Sequence, residues 1–177
     1  MGLETDFFVA SEEELQAAFP TWVPPAAKPK KDNTWLPSRP FPKSKKSPRA
    51  LFAGQMAALK KFPHAQFKRI DPVKLDLILG VLLHGGGRTV EARPALIAAE
   101  DECDEWLHRL TAAFAQALVG STNKELQAAS KTVAQQWSEL DGFEWPPKAA
   151  RPVVQALGDL AKAACAKRKS LYLWMRL

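Results

Sequence analysis

Cysteine is scarce in this chain of 177 residues: Cys103 and Cys165 are the only two. Each sits in an acid- or alanine-rich stretch, so no disulfide framework can be drawn and a reducing compartment, the cytoplasm, is expected. Long hydrophobic runs are lacking as well. The longest, Leu77 to Leu83, contains Gly80 and is far short of the roughly 20 residues that a membrane-spanning helix needs. The opening Met1-Gly2-Leu3-Glu4-Thr5-Asp6 is acidic where a signal peptide is basic, and position 6 is not the Ser or Thr of a myristoylation signal. Neither secretion nor a membrane partner is expected.

Motifs that carry chemistry are equally sparse. His84-Gly85-Gly86-Gly87 has the style of an esterase oxyanion loop, where amides after a glycine turn receive developing charge. No Gly-x-Ser-x-Gly occurs to supply the nucleophile, and the glycines read as a helix stop. The run continues Arg88-Thr89 where a phosphate-binding loop requires Gly-Lys-Ser/Thr. Gly85-x-Gly87-x-x-Val90 lacks the third glycine of the dinucleotide fingerprint. His64, His84 and His108 lie far apart, and Cys103 with His108 makes one pair without a second at zinc spacing. No catalytic residue, metal ligand or cofactor is assigned on this basis.

What the chain does contain is an ordinary globular composition, 46% apolar and 25% charged, enough to bury a core. It carries 14 prolines, eight of which fall between residues 20 and 48, where regular structure is excluded. The net charge of +6 is concentrated there too. Between residues 28 and 49 stand Lys28, Lys30, Lys31, Arg39, Lys43, Lys45, Lys46 and Arg49 against the single acid Asp32, a local charge of +7, so that the other 155 residues carry −1. With Trp35 and Phe41 interleaved, residues 23–50 read as an embedded proline-rich basic arm. Its cations can follow a phosphate backbone and its rings can stack on bases, but no RNA- or DNA-binding motif accompanies them. Nucleic-acid binding through this arm is expected to be weak and salt-dependent.

The remainder predicts an α+β fold, mostly helical, as a single domain over 1–177. Thr5 to Ala10 is aromatic and β-branched, a strand, and Ser11-Glu12-Glu13-Glu14 has the spacing of a capping box that opens a helix to about Phe19. Residues 54–61 can make two helical turns, and Gln66 to Ile70 alternates as a short strand. Asp71-Pro72 starts a helix with a cap and a proline at the first helical position. Ala95 to Ala98 and Trp106 to Leu110 predict a hairpin around the acidic turn Glu100 to Glu105. Thr111 and Ser121 or Thr122 cap two more helices, Pro152 starts a last one, and Leu171 to Leu177 closes the chain as a strand. The terminal strands are expected to pair in one small sheet.

Two charged segments then stand out as contact surfaces. Glu100, Asp101, Glu102, Asp104 and Glu105 form the densest acidic group, read as a solvated turn that faces a basic partner; the arm would face an acidic one. Asp6-Phe7-Phe8-Val9-Ala10-Ser11-Glu12-Glu13-Glu14-Leu15 with Phe19-Pro20-Thr21-Trp22, Ile70-Asp71-Pro72-Val73-Lys74-Leu75, and Leu171-Tyr172-Leu173-Trp174 together resemble a set of small bacterial cytoplasmic proteins. In size and style these are similar to the immunity partners of bacterial toxins, which neutralise an enzyme by occluding its site. The resemblance implies a non-enzymatic protein that masks a protein partner, a toxin or effector. Six tryptophans and two oppositely charged segments agree with binding. A nucleic-acid-associated protein working through the arm, or an enzyme with a site assembled from distant residues, is the alternative.

Overall fold

Two apolar runs from opposite ends of the chain meet in the middle of one sheet. In the computed structural model, which describes residues 3–19, 55, 57–84, 95–100 (backbone), 105–142 and 144–177, β1 (Glu4–Ala10) lies antiparallel to β5 (Ser170–Arg176). Their register runs from Glu4 opposite Arg176 to Ala10 opposite Ser170, with Phe7 facing Leu173. β2 (His64–Lys68) flanks β1, and β4 (Glu105–Arg109) flanks β5, with β3 (Ala95–Glu100) outermost. The order is β2-β1-β5-β4-β3 and every pairing is antiparallel. The expected terminal pairing is present, and so is the antiparallel pairing of the two strands on either side of residues 101–104, which lie outside the described residues.

Both faces of the central strands are covered, which is why β1 and β5 read as nearly continuous apolar runs rather than alternating ones. Phe7 and Val9 of β1, with Leu171, Leu173 and Met175 of β5, enter the main core. That core is completed by α2 (Pro72–His84), α3 (Ala112–Gly120), α4 (Asn123–Asp141) and α5 (Pro147–Ala166). Residues of opposite parity, Phe8, Ala10, Tyr172 and Trp174, join Leu15 and Phe19 from α1 (Glu12–Ala18) and its C-cap, with Leu59 and Leu107. Rings dominate this smaller cluster: Phe8 stacks on Tyr172 at 5.5 Å, and Phe19 meets Trp174 edge-on at 5.6 Å.

The helix starts follow the local chemistry. The Ser11 amide donates to Glu14 Oε2 at 2.8 Å and the Glu14 amide to Ser11 Oγ at 3.2 Å, a closed capping box. Thr122 and Glu125 repeat the device at α4, with 2.7 Å and 3.3 Å bonds. Asp71 Oδ1 accepts from the Lys74 amide at 2.9 Å, and Thr111 Oγ1 accepts from the Phe114 amide. Gly142, at φ 70°, closes α4 in the left-handed conformation that suits glycine.

Two boundaries differ from expectation. α5 begins at Pro147, one turn earlier than Pro152, which sits inside the helix. Pro147 takes the first helical position, where no amide is needed. Ala150, Val153, Val154 and Leu157 are all buried, so the core drives the helix past exposed Pro152, whose missing amide leaves the Lys148 carbonyl without its usual donor. The short strand is His64–Lys68 rather than Gln66 to Ile70. Arg69 turns out of it at φ 61°, and the Ile70 carbonyl instead accepts from Thr5 Oγ1 at 2.7 Å. Helical residues occur at 55 and 57–59. The basic arm 23–50 and the glycine run 85–87 lie outside the described residues. No helix among the described residues is long and apolar enough to cross a membrane.

Candidate functional site

Most of the buried charge in this molecule is committed to holding elements together. Glu4 and Asp6, two residues apart on β1, share a face, and the register places Arg176 of β5 beside them. Arg176 Nε and Nη2 donate to Glu4 Oε2 at 3.1 and 2.8 Å, and Nη1 donates to Asp6 Oδ2. The guanidinium lies 4.7 Å from the centre of the Trp174 ring. From the other side β4 sets Glu105 opposite Arg176. Glu105 is 8% exposed, which corrects the expectation that it belongs to a solvated acidic turn: the strand pairing draws it under the sheet face with Arg176.

A second cluster joins α2 to the end of α4. Lys74 Nζ donates to Asp71 Oδ2 at 3.2 Å and to Asp141 Oδ1 at 2.9 Å. Trp145 Nε1 donates to Asp141 Oδ2 at 2.7 Å, and Trp137 Nε1 donates to the Lys74 carbonyl at 3.2 Å. A cavity of about 310 Å³ adjoins these residues together with Leu3 and Arg69. Ammonium and carboxylates bond to one another here, a tie between helices rather than groups aimed at a ligand.

A second concavity, about 410 Å³, lies where the N-terminus of α3 meets β5. Its cations are also partnered. Arg109 Nη1 donates to Glu12 Oε1 at 3.0 Å, and Lys169 Nζ donates to both Glu14 oxygens at 2.6 and 2.7 Å. The Lys169 bond, followed by the Ser11 amide, holds the Glu14 carboxyl below its ordinary value of 4.5. Among the described residues no group of three His, Cys, Asp or Glu side chains could hold a metal ion.

Another concavity is different in kind. About 750 Å³ in volume, it runs between α4 and α5. α4 contributes Lys124, Gln127, Ala128 and Lys131, one stripe at i, i+3, i+4, i+7; α5 contributes Lys148, Arg151, Pro152 and Gln155, a stripe with the same spacing. Among the described residues four cations and no acid line it. None of the four is ion-paired with another described residue, and all four are exposed. Of the acids on these two helices, Glu125 is bonded to Thr122 and Asp159 accepts weakly from Gln155 at 3.4 Å. The first turn of α5 carries no acid and no side-chain cap, so its positive dipole end adds to the same potential.

Of the acidic group expected to contact a partner, Glu100 ends β3 opposite Glu105, while Asp101, Glu102 and Asp104 lie outside the described residues. Lys28, Lys30, Lys31, Trp35, Arg39, Lys43, Lys45, Lys46 and Arg49 lie outside them also. The α4–α5 groove was not among the sequence expectations. Its signal is present in the sequence, as cations seven apart in Lys124 and Lys131 and three apart in Lys148 and Arg151. Only the antiparallel packing of two helices brings those stripes together. Comparison with family models, with curated proteins and with solved structures returns no match to this chain.

Proposed function

We propose that this protein acts by binding a macromolecule, as an immunity or adaptor protein that covers a partner protein, and that the α4–α5 groove is the contact surface. The observation that carries the reading is the contrast in how cations are used. Lys74, Arg109, Lys169 and Arg176 are all ion-paired within the fold. Lys124, Lys131, Lys148 and Arg151, none ion-paired with another described residue, converge on one concave surface.

Such a surface attracts a partner of opposite charge over about a Debye length, speeds productive encounter and disfavours basic competitors. The positions are set by two packed helices, so little ordering entropy is lost on docking. The hairpin acids Asp101, Glu102 and Asp104 are a second contact in this reading, but Glu105, buried beside Arg176, is not. Action in the cytoplasm belongs to the same proposal and rests on the scarcity of cysteine.

The test is capture from the native host with wild-type protein and with the variant K124E/K131E/K148E/R151E as baits, followed by affinity measurement on the purified captured protein. The reading expects a protein held by the wild type and bound at least about 10-fold more weakly by the variant, a loss of ~1.4 kcal/mol or more. Equal binding by both baits refutes it.

A further inference from the structure

Resting on that reading, we infer that the occupant of the α4–α5 groove is an acidic amphipathic α-helix of the partner, laid between the two helices as the third member of a bundle. Three observations select it. Lys124 and Lys131 are seven residues apart on one helix, about 10.5 Å along the axis at 1.5 Å per residue. Carboxylates seven residues apart on a docked helix repeat at that same distance.

The groove is also shaped for close approach. Ala128, Pro147 and Pro152 line it together with the cations, and helices pack at 8–10 Å between axes depending on the side chains at the contact. The long Lys and Arg side chains on the two walls can reach over a helix seated there, while Gln127 and Gln155 can each donate to and accept from its polar groups. Helix-in-groove binding is a common peptide-recognition mode and is carried by anchors at i, i+3, i+4 and i+7, the spacing that both walls present.

Third, among the described residues no aromatic ring lines the groove. Single-stranded nucleic acid binds largely by stacking bases on rings while cations follow the backbone. Here a phosphate backbone would engage the four cations and make no use of the apolar lining residues Ala128, Pro147 and Pro152, whereas an acidic amphipathic helix uses both.

The experiment measures binding of a fluorescently labelled peptide of about 20 residues, long enough to form helix. It is built on Ala and Leu with Glu at i, i+3 and i+7 along one face, and is compared with a shuffled peptide of identical composition whose Glu residues are spread around the helix. An oligonucleotide and a duplex of matched charge serve as further probes. The expected result is that the one-faced peptide binds, gains helical circular dichroism on binding, and loses affinity roughly 10-fold or more both on shuffling and against K124E/K131E/K148E/R151E. The neutral variant K124Q/K131Q/K148Q/R151Q, which keeps side-chain length without reversing charge, should lose an intermediate amount, and both variants should melt as the wild type does because the four side chains are exposed.

Equal binding of the shuffled peptide, an unchanged affinity for the variants, or tighter binding of either nucleic acid overturns the helix assignment. The wider reading fails separately. If a captured native partner depends on the four cations but the one-faced peptide does not bind, the groove remains the contact and the helical occupant is wrong. If the native partner ignores the four cations, the groove itself is wrong.

Discussion

Replacing Arg176 by Met removes the buried guanidinium that Glu4 and Asp6 share, on a face that also carries Glu105. Asp6 is 1% exposed and Arg176 5%, so the carboxylate cannot turn to water when its partner is lost. Breaking a buried ion pair from one side costs about 3–5 kcal/mol, and the lost contact with the Trp174 ring, 4.7 Å away, adds roughly 0.5–2 kcal/mol. Against a total stability on the order of 5–15 kcal/mol this is a large fraction. At about 2–4 °C per kcal/mol for a chain of this size, a combined loss of about 3.5–7 kcal/mol should lower Tm by roughly 7–28 °C. Asp6→Asn is the control. It keeps Arg176 bonded to Glu4 and leaves an amide that can still accept, so its cost should be about 1 kcal/mol. Urea denaturation followed by circular dichroism reads both. A loss below about 1 kcal/mol for Arg176→Met, or equal losses for the two variants, would show that the terminal strands are not held by this buried charge.

Other consequences follow from single positions. Tyr172 is the only tyrosine in the chain, and burial, opposed by the nearby Arg109 cation and a bond with Ser170 and reinforced by Glu12, raises its phenol above the ordinary 10.0. A tyrosinate absorbance titration should therefore show an inflection above pH 10, and the stability that the neutral ring contributes should be complete below that pH and fade as the pH rises through the raised value; a normal inflection in folded protein refutes this. Glu14 is shifted the other way, downward, so its contribution is present above pH 4.5 and is lost as the pH falls through the lowered value. Glu14→Gln should flatten that part of the acid limb, and an unchanged limb would contradict the Lys169 pairing. A Cβ at Gly158 would lie 2.7 Å from Leu126 Cδ1, where α5 presses on α4. Gly158→Val should thus destabilise by about 1–3 kcal/mol in urea melts, while Gly158→Ala, where Leu126 needs only to shift its tip and helix propensity improves, should cost much less.

Local signals in the sequence carried the element starts. Ser11 with Glu14, Asp71 with Pro72, and Thr122 with Glu125 each satisfy a helix end from residues within one turn, so spacing alone was enough to read them. The terminal strands were legible because an aromatic, β-branched run at each chain end has no other place to be buried. Pro152 misled, since a proline favours a helix start only where the amide is dispensable, and the earlier Pro147 already met that need. Burial of Ala150 and Val153 decided the matter, and burial is a tertiary fact. Glu105 looked solvated because its neighbours in sequence are acids; its burial comes from a residue 71 positions away, Arg176, brought opposite by strand order. The groove was hidden for the same reason. α4 balances Lys124 and Lys131 with Glu125, Glu139 and Asp141, so no window of local charge reveals a face on which only the cations converge.

The most direct measurement of the central claim is the association rate between the purified native partner and this protein, wild type against K124E/K131E/K148E/R151E, across a salt series. The wild type should associate faster at low salt, its rate should fall as salt screens the groove, and the variant should associate at least about 10-fold more slowly with a flattened or reversed salt dependence. Equal rates with parallel salt slopes would contradict it.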